Sequence, residues 1–192
     1  DTHNLLGWDE ASGQYIAYPR AAARVGDGVI RLVGRSVSKD FLHWTEPEIV
    51  FAPDGADPPG LEIYGMSVFE YEGLYLGLPW AFHTYPEESI SRGGGRIDVQ
   101  LAASRDGRQW DRVGDRQAFI PLGPPGSIDR GMVFTAKDPV VVGDKLWFYY
   151  GAYDGEHGVG SRTGTICLAK LRRDGFVSLD AGPSGGSVTT KP

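Results

Sequence analysis

Ser38-Lys39-Asp40-Phe41-Leu42-His43-Trp44 and Ser104-Arg105-Asp106-Gly107-Arg108-Gln109-Trp110 are two copies of one signature, with their aspartates sixty-six residues apart. A degenerate third copy, Arg173-Asp174-Gly175-Phe176, follows sixty-eight residues after Asp106. A fixed period of this size marks an array of similar β-modules. Upstream of the copies run Ile30 to Ser36, Ile97 to Ala103 and Thr165 to Leu171, all strand-like. Before these come the aromatic strands Gln14 to Tyr18, Leu74 to Leu78 and Leu146 to Tyr150. Each aromatic strand is entered through a Gly-containing turn: Ser12-Gly13, Glu72-Gly73 or Gly143-Asp144. Such turns supply the positive φ angles of tight hairpins.

A first strand precedes each hairpin (Leu5 to Trp8, Met66 to Tyr71, Val133 to Val142). A last strand closes the first two modules, at Glu48 to Ala52 and Gln117 to Leu122. Four antiparallel strands per module is the pattern of a propeller blade, so the chain is expected to be an all-β propeller of about three blades. The blades fall at about 1–58, 59–126 and 127–182, with a tail over 183–192. Ala21 to Gly28, Ala81 to Gly95 and Tyr153 to Gly164 read as long loops at one point of each repeat, where function concentrates. Asp138-Pro139 reads as a turn or bulge inside a strand pair.

The formal net charge is −6 and no basic cluster stands out, which argues against nucleic acid or an anionic membrane as partner. No stretch approaches the ~20 apolar residues of a membrane span. The sequence opens at Asp1 without methionine or a signal segment, and its compartment stays open. The single cysteine, Cys167, lies in an apolar strand and reads as a buried thiol. It excludes an internal disulfide framework.

Aligning the first strands places an acid at the same point of each module: Asp1-Thr2-His3-Asn4, Glu62-Ile63-Tyr64-Gly65 and Asp129-Arg130-Gly131-Met132. First strands line the channel of a propeller, so Asp1, Glu62 and Asp129 are expected to converge near one mouth. Glycoside cleavage uses such a set, one carboxyl donating a proton to the leaving oxygen while another attacks or stabilises the cationic centre. The plainer alternative is that each acid ties a turn. His3, Asn4, Tyr64, Arg130, His83 and His157 lie at loops or module starts on the same side and suit hydroxyl recognition. Trp80 and Tyr85 could stack on a sugar ring or pack their loop. No close His/Asp/Cys spacing supports a metal, and no cofactor is expected. Asp40 and Asp106 read as turn-tying residues, and Trp44 and Trp110 as packing posts.

These motifs resemble the five-bladed propeller glycosidases, the superfamily of invertases, levansucrases and arabinanases. Uncharacterised invertase-like members share Asp-Thr-His-Asn, Phe-Leu-His-Trp-Thr-Glu-Pro, Glu-Gly-Leu-Tyr-Leu and the closing run from Asp174 to Gly182. The resemblance implies a carbohydrate substrate, with Asp1 as the stabilising acid and Glu62 as the general acid. The nucleophile or base would come from a blade before Asp1 or from Asp129, which falls in what would be the fourth blade and is by analogy a substrate contact. Thr2 stands where the family often has Pro, and Glu62 lacks the Cys-Pro that follows the acid in invertases. The tail would lead toward an accessory β-sandwich. Non-catalytic sugar binding on the same scaffold is the competing reading. An incomplete ring that associates with further copies through its unpaired edges is another.

Overall fold

In a computed structural model of the protein, residues 5–26, 28–85, 94–158 and 160–189 are described. Those residues fold almost entirely into β-strands. The first sheet holds β1 (Leu5–Asp9), β2 (Gln14–Tyr18), β3 (Arg20–Val25), β4 (Gly28–Ser38) and β5 (Glu48–Phe51). Its order is β1-β2-β4-β3, with β5 also pairing β4. The second module follows as β6 (Leu61–Tyr71), β7 (Leu74–Thr84), β8 (Gly95–Val99), β9 (Leu101–Ser104) and β10 (Asp111–Val113). The third comprises β11 (Met132–Thr135), β12 (Val140–Val142), β13 (Lys145–Tyr153) and β14 (Gly164–Arg172). The second and third modules meet where β8 and β11 run parallel at Ile97 and Met132. The result is a set of open propeller blades, a partial ring in which β14 pairs only with β13 among the described residues.

Three expectations change. Ala21 to Gly28 is not a loop: β3 pairs with the start of β4 from Arg20↔Val33 to Val25↔Gly28. The Ala21-Ala22-Ala23 run has no glycine or proline to stop the hairpin before Gly26, whose φ of 57° makes the turn. Gln117 to Leu122 is not a strand. β10 takes the outer place in the second module, a short 3₁₀ turn at Gly114–Arg116 follows, and only Ile120 bridges to Val99. Finally, Val133 to Val142 divides into β11 and β12. Asp138-Pro139 forms the interruption, as the proline signal implies.

Burial follows position in the stack. β6 and β7 are covered on both faces and are apolar almost throughout, with Ile63, Met66 and Phe82 fully enclosed. β14, at the rim, alternates between exposed and half-buried residues. One core cluster joins Ile16, Val33, Ile63 and Met66 between the first and second modules. Another joins Trp80, Phe82, Ile97, Val133 and Leu146 between the second and third.

The repeated signature is a structural turn. Asp40 Oδ1 accepts the N–H groups of Leu42 and His43 at 2.9 and 2.8 Å, and Asp106 Oδ1 accepts those of Arg108 and Gln109, each at 2.8 Å. Ser38 and Ser104 Oγ take the N–H of Phe41 and Gly107. Both of the latter residues are left-handed, with φ 67° and 68°. The third copy has Arg172 at the serine position and turns differently, with the positive φ on Asp174 itself. Gly107 carries a further constraint, because a Cβ there would stand 2.7 Å from Tyr18 Oη. Gly107→Ala is therefore expected to cost about 1–2 kcal/mol from the left-handed backbone alone. Urea denaturation reads this directly, and an unchanged midpoint would contradict it.

A polar network stitches the first two modules. Asp9 is buried; its Oδ2 accepts from Ser12 N–H and Oγ, and its Oδ1 accepts from Tyr75 Oη at 2.6 Å. Burial pushes the Asp9 carboxyl up, but the bonds from Ser12 and Tyr75 and the nearby Arg35 outweigh it and hold it below the usual range. A depressed carboxylate stabilises the fold above its unfolded value of ~3.9 and loses that contribution as pH falls through its folded value. Tyr18, buried and donating to Gly107 O, is pushed up to about 12, chiefly by burial. Its contribution is complete below ~10 and is lost as pH rises toward that folded value. Denaturant midpoints followed from neutral pH into acid should fall less steeply for Asp9→Asn than for the native protein. Parallel curves would remove Asp9 from the account.

Candidate functional site

At the end of β6 where the strand begins, a bulge between Ile63 and Gly65 inserts Tyr64 as an extra residue. Bulges re-aim side chains and recur next to active sites. Gly65 is required here because a Cβ would meet the Trp80 ring at 2.7 Å. The bulge leaves Glu62 and Tyr64 beside the end of β7, the start of β8, the loop after β13 and the β3–β4 hairpin.

Glu62 is 1% exposed. Its Oε2 accepts two bonds from Arg31, from the backbone N–H at 3.0 Å and from Nη1 at 2.7 Å. Its Oε1 is buried and has no hydrogen-bond partner among the described residues. The Arg31 guanidinium also lies over the rings of Tyr64 and Phe82, 5.4 Å from each centroid, and Arg20 lies over Tyr64 at 5.2 Å. Tyr64 Oη and His157 Nε2 are 3.2 Å apart. His157 is held by paired backbone bonds to Gly95 and packs edge-on against Phe82. These contacts join β4, β6, β7, β8 and the loop after β13 at one place.

A second group adjoins it along β7 and β8. His83 Nε2 lies 2.8 Å from Asp98 Oδ2. Tyr85 Oη donates to Glu156 Oε2 at 2.6 Å, and Arg96 Nε to Oε1 at 2.7 Å. The Tyr85 hydroxyl first, and then Arg96, hold the Glu156 carboxyl below its ordinary range. Arg130 Nε donates to the carbonyl of Asp154 at 2.5 Å. Asp129 accepts from Ser127 Oγ at 2.7 Å and from Tyr150 Oη at 3.2 Å, a turn-tying pattern. Burial, the Cys167 thiol and Asp129 together raise the Tyr150 hydroxyl well above its usual range.

The structure thus brings Glu62, Tyr64 and His157 into one contact group, with His83, Tyr85 and Arg130 on neighbouring segments. Trp80 sits in the core at 2% exposure with Nε1 bonded to Thr135 Oγ1. Asp1, His3 and Asn4 lie outside the described residues. Arg31, Asp98 and Glu156 carry no signal in the sequence that singles them out. Arg31 is hidden because its strand reads only as a lead into the Asp turn. Among the described residues no cluster of three or more His, Cys, Asp or Glu could hold a metal ion. Among them, too, no helix is long and apolar enough to cross a membrane.

No protein-family profile matches the chain, and no curated protein does. Solved structures do. The chain is similar to a glycoside hydrolase at 16% identity and a TM-score of 0.65, covering 98% of this chain and 48% of that one. It is similar to BT0996 in its RGII complex at 16% identity and a TM-score of 0.64, covering 92% and 47%. A third likeness is to Zg3597, a family 117 glycoside hydrolase from the marine bacterium Zobellia galactanivorans, at 18% identity and a TM-score of 0.61, covering 88% and 50%. The chain spans about half the length of these structures, and at such identities the likeness is one of fold.

Proposed function

We propose that the chain carries part of a glycoside hydrolase, acting on a glycosidic bond at the group around Glu62, in an invertase-like member of the five-bladed superfamily. The observation that carries the reading is the Glu62 carboxylate. It is buried at the start of an inner strand, with Oε2 committed to Arg31 and Oε1 without a partner among the described residues. A buried polar atom without a partner asks for an explanation, and a ligand is one. Once protonated on Oε1, the Glu62 carboxyl is the group left to give its proton to the leaving oxygen as general acid, and it returns to the carboxylate as the bond breaks. Asp1 is assigned the stabilising role, and Asp129 contacts substrate. His3, Asn4, Tyr64, His83, Tyr85, Arg130 and His157 supply hydroxyl contacts. Trp80 contributes only by supporting Gly65 and the bulge. The fold shared with glycoside hydrolases supports the reading, although one fold hosts many chemistries.

One observation favours sugar binding without turnover: Asp129 is engaged in turn bonds to Ser127 and Tyr150, as a structural carboxylate would be. Release of aryl leaving group and reducing sugar from a panel of aryl glycosides and oligosaccharides decides between the two. Turnover supports the hydrolase, and saturable binding without release supports the module. Copies also associate through the outer edge of β14, where Ile166 is 80% exposed. A dimer or larger species is the expected light-scattering result, and a clean monomer counts against it.

A further inference from the structure

We infer that Arg31 is the positioning residue of Glu62, fixing which carboxylate oxygen faces the ligand; this rests on the reading of Glu62 above. Two donors of one residue, the backbone N–H and Nη1, converge on the same oxygen, Oε2. An arginine that merely stapled two strands would find its strongest geometry in a fork, one N–H to each carboxylate oxygen. Here the fork is forgone and Oε1 stays buried without a partner among the described residues, a state that destabilises the fold if nothing ever fills it. Arg31 itself pairs through its backbone only with Ala22 of β3, while β4 meets β5 and β2 further along, from Val33 onward. The guanidinium is itself held in place, lying over Tyr64 and Phe82 on the two strands flanking the site. With its donors on one oxygen and its plane against two rings, Arg31 holds the carboxyl in one orientation and leaves Oε1 as the working atom.

Positioning has signatures that packing lacks. Kinetics of aryl glycoside release should be compared for the native protein, Arg31→Lys, Arg31→Met, Glu62→Gln and the Arg31→Met/Glu62→Gln pair. Crystal structures of both Arg31 variants complete the comparison. Arg31→Met is expected to lower kcat by about 10²-fold, the effect of a displaced reacting group, with KM within roughly threefold of native. Arg31→Lys keeps the charge and the backbone N–H, guards against misfolding, and should recover part of the loss. Adding Arg31→Met to Glu62→Gln should cost nothing further, because groups acting as one unit are not additive. In the Arg31→Met crystal the Glu62 carboxyl should be turned from its native orientation. Native kcat in Arg31→Met alongside a dead Glu62→Gln overturns the positioning role and leaves Glu62 standing. So does a multiplicative loss in the double variant. Native kcat in Glu62→Gln removes the reading of Glu62 itself. If no substrate is turned over, the crystal still decides, since a Glu62 carboxyl unmoved without its arginine overturns the inference.

Discussion

Trp80→Ala is expected to cost about 3–5 kcal/mol, the range for removing a large aromatic side chain from a packed core. The indole is 2% exposed, lies against Gly65 at the β6 bulge, meets Phe134 edge-on at 5.4 Å, and donates from Nε1 to Thr135 Oγ1 at 3.0 Å. It therefore joins the second and third modules at one point. Truncation empties that point and takes from the buried Thr135 hydroxyl the bond donated by the indole, leaving it Ser67 at 2.9 Å. Since small domains have only ~5–15 kcal/mol in total, a large share of the margin goes. Trp80→Phe, keeping the ring volume but not the N–H, should lose distinctly less. Urea titrations with an unchanged slope read the difference, and a loss under about 1 kcal/mol for Trp80→Ala would contradict the packing described.

Glu62→Gln should lower turnover by about 10²–10⁴-fold, the contribution of a positioned acid or base. The amide is nearly isosteric, and its oxygen can still accept from Arg31. What is lost is the ability to give and take a proton. Fold and binding should survive, because Arg31 is 23% exposed and its guanidinium can recover water when the charge opposite it is removed. Glu62→Leu is the harsher control, leaving Arg31 without any acceptor on β6.

The repeat carries most of the fold. The Ser and Asp of the signature act locally, each binding backbone within three residues, so spacing alone exposes them. The second strand of the second module is harder to read. Leu74 to Leu78 reads as a strand that stops before Pro79, yet β7 continues to Thr84 and carries Trp80 and Phe82 into the core. Proline is tolerated because its missing N–H falls where β8 gives way to β9, and its carbonyl takes the N–H of Gln100 at 3.0 Å. Only the tertiary break explains that, so from sequence Trp80 looks like a loop aromatic available to a sugar. Glu62 and Tyr64 are legible from their alignment at a module start. Arg31 is not, since it reaches Glu62 from thirty-one residues away through a hairpin that alanines make look like a loop. His83 and Tyr85 are visible as loop polar residues, but their partners Asp98 and Glu156 depend on strand register and on a loop of the next module.

The most direct test of a glycosidic site at Glu62 is binding and turnover measured side by side, by calorimetry and by aryl release, on the native protein and on Glu62→Gln with the same glycosides. The account predicts that both proteins bind a common glycoside within roughly threefold of each other, while release by Glu62→Gln is slower by at least about 10²-fold. Equal release by the two proteins, or no binding by either, would contradict it.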